Sequence, residues 1–192
     1  MVRRCLNKAV VNTMEHEVVL NTCFECFAQN GLEYATIRNA SRATGLTASS
    51  IYYRFKDKDQ LIVESTYYGH KSITQGIFII AINHLDNIQE MIEAIIEEID
   101  GQKDKIRFIY QVASSSQHGD LLKELSNDLL KIYVKFSSIV ADKWNISAEL
   151  VLPYISLFIA SVRQYIVWGN REMLKTDLNF LYSKLTNSVN GI

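Results

Sequence analysis

The sequence predicts an all-α fold of about nine helices, on three observations. Its 192 residues include one proline and eight glycines, too few for the many turns of an all-β chain of this length. Apolar residues return at three- and four-residue steps along most of the chain, the period of a helix with one buried stripe. Capping residues stand just ahead of several stripes, at Thr36, Thr47, Asp57 and Ser147.

The elements follow in order. A first helix over about 14–29 carries Val19, Leu20, Cys23, Phe24 and Phe27 on one stripe. Asn30-Gly31 ends it, with Gly31 suited to a left-handed C′ position. A second helix covers about 37–44, Gly45 turns the chain, and a third covers about 48–55. Asp57 caps the fourth, with Gln60 three residues on in a capping-box pattern, and this helix extends to about 83. The fifth, about 87–100, sets Ile88, Met91, Ile92, Ile95, Ile96 and Ile99 on one face. Its Glu90, Glu93 and Glu97 read as a solvated face, not a metal site. Further helices are expected over about 103–115, 121–144, 148–168 and 177–189, with Pro153 bending the eighth or marking its first turn.

Composition narrows the class. Hydrophobic content of 48% is ample for a core. Residues 1–60 hold eight Lys/Arg against six acids, and the remainder twelve against fifteen, so a mildly basic end precedes an acidic body. The first dozen residues read as a basic arm. Arg3 and Arg4 lead into mixed polar residues, unlike a signal peptide. The most apolar run, 151–162, is too short to span a bilayer and is followed by Arg163, so a cytoplasmic protein without membrane contact is expected. Cys5, Cys23 and Cys26 do not make a disulfide framework, and the Cys23/Cys26 pair reads as small core residues on the first helix. His16, His70, His84 and His118 are scattered and accompany no nucleophile motif. Neither an enzyme nor a bound metal or cofactor is expected.

The segment 36–61, TIRNASRATGLTASSIYYRFKDKDQL, carries the functional signal. Two short helices around Gly45 make a helix-turn-helix, which lays its second helix in the DNA major groove. Thr36 stands at a helix start, where its hydroxyl and backbone N–H suit a phosphate, and Arg38 follows within reach of phosphate or groove. Thr47, Ala48, Ser49 and Ser50 form the exposed start of the reading helix. Tyr52 and Tyr53 offer hydroxyls to phosphate oxygens, one of the pair packing partly inward, and Lys58 suits the next phosphate. Ile37, Leu46, Ile51 and Phe55 pin these helices to the first.

With VLNTCFECFAQNG before it, this segment resembles the TetR family of transcriptional regulators over about 19–61. The resemblance implies a DNA-binding homodimer, most often a repressor, whose body holds an inducer and the dimer interface. The family's phosphate-contacting positions match Thr36, Thr47, Tyr52, Tyr53 and Lys58. Ala48-Ser49 departs from a common Lys-Gly, so the base-reading role of that pair is not inherited; Ala48 suits a thymine methyl, and Ser49 or Ser50 discriminates weakly. Ala40-Ser41 replaces a more usual Ile-Ala, which loosens the expected packing.

The chain is therefore divided by role into a helix-turn-helix domain, 1–57, and an effector-binding and dimerisation domain, 58–192. The eighth helix is apolar all round and needs a second chain to cover it. Helices eight and nine are expected to pair with their symmetry mates, through Leu157, Ser161, Tyr165, Trp168, Leu181 and Leu185. The twofold presents two reading helices to a palindromic duplex operator. Effector candidates are Tyr67, Phe108, Gln111, Tyr133 and Arg163, with His118 a further polar one. Arg163, set in an apolar run, is read as buried and paired, with an acid such as Glu124 or Asp128, with an interface carboxylate or with an anionic ligand. A body that docks a protein partner instead of a small molecule is the alternative reading.

Overall fold

The computed structural model describes the backbone of residues 2–190 and the side chains of 16–186. Among the described residues there are nine α-helices, one short 3-10 turn and no strand. In order they are α1 (Val2–Asn30), the turn (Leu32–Tyr34), α2 (Ile37–Thr44), α3 (Ala48–Arg54), α4 (Lys58–Asn83), α5 (Ile88–Gly101), α6 (Lys103–Ser114), α7 (Gly119–Trp144), α8 (Ala148–Trp168) and α9 (Arg171–Asn190). The side chains of the N-terminal dozen, expected as a basic arm and including Cys5, lie outside the described residues.

The chain forms two compact units, Met1–Ser72 with Asp104–Ser126, and Ile73–Lys103 with Asn127–Ile192. Compactness thus divides the chain differently from the division by role at 57/58. Helices α4 and α7 each give their first part to the first unit and the rest to the second.

In the first unit, Phe24 and Phe27 of α1 pack against Phe108 of α6, with ring centroids 6.1 and 6.4 Å apart. Ile51 of α3, Phe55 just after it, and Leu61 and Ile62 of α4 complete the core, all buried to 1% exposure or less. Cys23 is a buried core residue whose thiol is pushed up to about 12 by burial and the neighbouring Cys26, so it is inert at neutral pH. Helices α1 and α4 approach so closely that a Cβ on Gly69 would fall 2.2 Å from the Phe24 ring.

In the second unit, Ile92, Ile96 and Ile99 of α5 are buried with Val151, Ile155 and Ile166 of α8 and Leu174 and Leu178 of α9. Glu93, on the outer face of α5, pairs with Lys175 at 2.8 Å. No cluster of metal-binding side chains occurs among the described residues.

The expected boundaries hold closely for α2 to α8. Helix α9 starts at Arg171 and not near 177. Gly169 (φ 75°) closes α8, donating its N–H to Tyr165 O at 2.8 Å, and the Asn170 side chain accepts from Met173 N at 3.0 Å. A two-residue link therefore replaces the expected loop, because glycine and a capping asparagine stop one helix and start the next at once. Pro153 lies inside α8, which begins at Ala148, so it does not mark the first turn. As one helix, α8 is long and apolar enough to cross a membrane by length and composition, unlike the shorter 151–162 run. Its exposed side mixes Leu157, Val167 and Trp168 with Ser156, Arg163 and Gln164.

Candidate nucleic-acid interface and ligand cavity

Hydrogen bonds at the helix ends explain the local fold of the first unit. Thr36 Oγ1 accepts from Asn39 N at 3.2 Å and starts α2. Gly45 ends it at φ 70°, where a side chain would be strained. Thr47 Oγ1 accepts from Ser50 N at 3.1 Å and lies 2.9 Å from Ser50 Oγ. Buried Ile51 and Phe55 fix the inner face of α3. The outer face then presents Thr47, Ala48, Ser49, Tyr52 and Tyr53, with Ser50 half-buried. Tyr53 is 94% exposed and Tyr52 54%, so Tyr52 is the one that rests partly on the protein. Arg38 is exposed on α2 and Lys58 on α4.

Helix α4 is held at its first turn. Asp57 Oδ1 accepts from Gln60 N at 2.8 Å, while Gln60 Oε1 accepts from Lys56 N at 2.7 Å. The return bond of the capping box thus lands one residue earlier than the pattern implies. Asp59 accepts from Gln117 Nε2 at 2.9 Å and lies 3.1 Å from His118 Nε2, whose other nitrogen is 3.1 Å from Ser115 Oγ. Burial pushes the Asp59 carboxyl up, but the bonds to Gln117 and His118, the His118 charge and Lys58 outweigh it and hold it below the usual range. The expected effector group His118 is instead a buried strut beside Lys58. Gln111 is exposed, and lines a polar surface concavity with Thr36 and Lys58.

The second unit holds an apolar cavity of about 120 Å³. Every helix with residues in that unit except α6 supplies wall: Phe78 and Ala81 from α4, Ile95 from α5, Trp144 from α7, Phe158 from α8 and Leu181 from α9 are examples. Phe78 stacks on Phe136 at 4.0 Å and 14°, and Trp144 meets Tyr182 edge-on at 5.4 Å and 89°. Burial and nearby Asp86 push the Tyr182 hydroxyl up to about 12, so it stays a neutral donor. Protein interiors contain few voids larger than a water molecule.

None of the five expected effector residues lines this cavity. Phe108 belongs to the aromatic core of the first unit, and Tyr67 is half-buried there. Tyr133 stands outside the wall, edge-on to Phe78 at 5.8 Å, its hydroxyl raised by burial against a bond with Thr74. Arg163 is exposed, so its burial was a misreading: one long polar side chain on an apolar helix marks the outer face. The lining was partly visible in the α9 stripe of Leu178, Leu181, Tyr182 and Leu185, which faces inward to the cavity.

The expected interface residues fall into two sets, some covered by their own chain and some open. Leu185 is 7% exposed and Tyr165 5%, both covered by their own chain. Tyr165 donates its hydroxyl to Asp100, which also accepts from Arg171 Nε at 3.1 Å. Leu181 lines the cavity, and Ser161 is half-buried. Leu157 and Trp168 are open, at 51% and 78%. With Leu150 and Val167 they run along one side of α8, and Met173 and Phe180 are exposed on α9.

Comparison with known proteins bears on the first unit most directly. Residues 19–64 match the family model of bacterial regulatory proteins, tetR family. No curated protein matches the sequence. Among solved structures, the chain is similar to a candidate transcriptional regulator from Pseudomonas aeruginosa PAO1, with a TM-score of 0.58 over 94% of this chain and 92% of that one. At 14% identity, that likeness speaks to the fold alone.

Proposed function

We propose that this chain, whose residues 19–64 match the model of bacterial regulatory proteins, tetR family, is a DNA-binding transcriptional regulator and a homodimeric repressor released from its operator by a small molecule. The observation that carries the DNA-facing part is the outer face of α3, where Tyr53 is 94% exposed on a helix pinned by fully buried Ile51. An aromatic ring held so far into solvent has no role in the core, and its hydroxyl suits a phosphate. Thr36, Arg38, Tyr52, Tyr53 and Lys58 then grip the backbone, while Thr47, Ala48, Ser49 and Ser50 meet the bases. The polar residues available there are small, so DNA shape supplies much of the specificity.

Dimerisation follows from the apolar outer side of α8 and its neighbour α9. An apolar stripe of this kind on a folded chain marks an interface, and a second copy covers it symmetrically. Two reading helices then address half-sites about 34–36 Å apart. The cavity supports the released state. Helix α4 carries Lys58 at its first residue and Phe78 and Ala81 in the cavity wall, so a ligand among the latter biases the helix that bears the former. Coupling of about 1–3 kcal/mol weakens DNA binding about 5–150-fold. A cytoplasmic location suits this role.

Selection of the protein against a random duplex library tests the reading. A palindromic consensus is expected, with Tyr53→Ala lowering affinity for it at least tenfold by fluorescence anisotropy. Retention of DNA with no sequence enriched, or a Tyr53→Ala protein that binds as before, overturns it.

A further inference from the structure

We propose that the cavity of the second unit takes a small uncharged ring compound, of the size of a monocyclic aromatic hydrocarbon. This deepens the effector-released reading and rests on it for its regulatory meaning, though not for binding itself.

Three features of the cavity lead there. The first is charge. No Lys, Arg, His, Asp or Glu is among the residues that line it. Tyr154, Tyr182 and Trp144 are the lining residues that carry an O–H or N–H group, and the wall itself is almost wholly apolar. A carboxylate or ammonium entering would lose its hydration and meet no opposite charge, which is heavily unfavourable.

The second is size. The cavity measures about 120 Å³. An apolar cavity of about 150 Å³ in another protein stays dry and admits benzene. Water needs two to four polar partners, and these walls offer too few to hold a cluster of it. A long polar metabolite exceeds the space, and an apolar space of this volume is matched by one ring.

The third is the shape of the walls. The Phe78 and Phe136 rings lie nearly parallel, and Trp144 and Tyr182 meet at nearly a right angle. Flat aromatic faces and edges favour a flat guest, which gains offset-stacked or edge-to-face contact beyond plain burial. Ala81, the smallest lining side chain, leaves room where any larger residue would fill it.

The full chain is titrated with toluene, benzoate and benzylamine, which share the ring and differ in charge. Saturable toluene binding by calorimetry and a rising melting temperature are expected, with no shift from the two charged compounds at ten times the concentration. Ala81→Leu, its fold checked by circular dichroism, weakens toluene at least tenfold. Phe158→Ala, an independent variant, enlarges the space and admits naphthalene that the parent protein excludes. Benzoate or benzylamine binding as tightly as toluene overturns the assignment, as does toluene binding unchanged in both variants. If toluene binds and operator affinity stays the same, the ring site stands and release by this ligand fails. If a charged compound releases DNA while toluene does not bind, release stands and the ring site falls.

Discussion

Ser41 and His70 are polar residues whose surroundings do not serve them. The Ser41 hydroxyl oxygen is buried in α2 without a hydrogen-bond partner. An orphaned buried hydroxyl costs about 1–3 kcal/mol, and alanine is the better helix former. Ser41→Ala is therefore expected to stabilise the protein by about 1–2 kcal/mol, read as a higher urea midpoint at constant slope. At Ala40-Ser41, where looser packing was expected, Ala40 is fully buried and the Ser41 hydroxyl oxygen is left without a partner. His70 Nδ1 is also buried and unpartnered, and burial pushes the ring from 6.5 down to about 4. The folded chain thus holds this histidine neutral where the unfolded chain binds a proton. Its cost is absent above about pH 6.5 and grows as pH falls towards 4, reaching at most about 3 kcal/mol. Urea midpoints measured across that window are expected to fall, and His70→Gln to flatten the fall. At this scale the sequence was legible where a residue's role is local. Thr36, Gly45 and Thr47 cap or turn as their chemistry dictates. It was not legible for Phe108 and Arg163, because what buries the one and leaves the other on the outer face is set by how distant parts of the chain pack.

Among the helices, α8 poses the sharpest question of covering. Its apolar residues divide between an inner set, including Val151, Ile155 and Ile166, and an outer set of Leu150, Leu157, Val167 and Trp168. The sequence showed a helix apolar on nearly every side, but composition alone does not say which side meets its own chain. Tyr165 illustrates the difficulty. Its place among apolar residues suggested an interface, while its hydroxyl has a private partner in Asp100 on α5. Asp100's hydrogen bond raises the Tyr165 hydroxyl's pKa, which keeps it a donor at neutral pH. Leu157, by contrast, is half-exposed and makes the cleaner probe. Leu157→Glu is expected to leave the helical content unchanged, convert a dimer to a monomer in analytical ultracentrifugation, and lower operator affinity at least tenfold. A dimer that survives this change would place the interface elsewhere. The start of α9 was hidden for a different reason: Gly169 and Asn170 resemble a loop, and only the two cap bonds reveal one helix handing over to the next.

For the molecule as a whole, the family match ends at residue 64, yet the unit that contains it draws on much more of the chain. Phe24 and Phe27 need Phe108, Glu25 pairs with Lys105 at 2.7 Å, and Asp59 is tied to Gln117 and His118. A fragment of residues 1–57 would lack Leu61, Ile62 and Phe108, three of the most deeply buried side chains. Such a fragment is expected to show narrow amide dispersion by NMR and no cooperative melting. The fold class and the helix-turn-helix were legible because they depend on short-range patterns. The assignment of 104–126 to the first unit was not, because nothing local in α6 announces where it docks. The practical consequence concerns engineering. Exchanging operator specificity by grafting a foreign head onto this body cannot be done with a single splice after α3. A working chimera must transplant two separated stretches, or else redesign the aromatic seam they share.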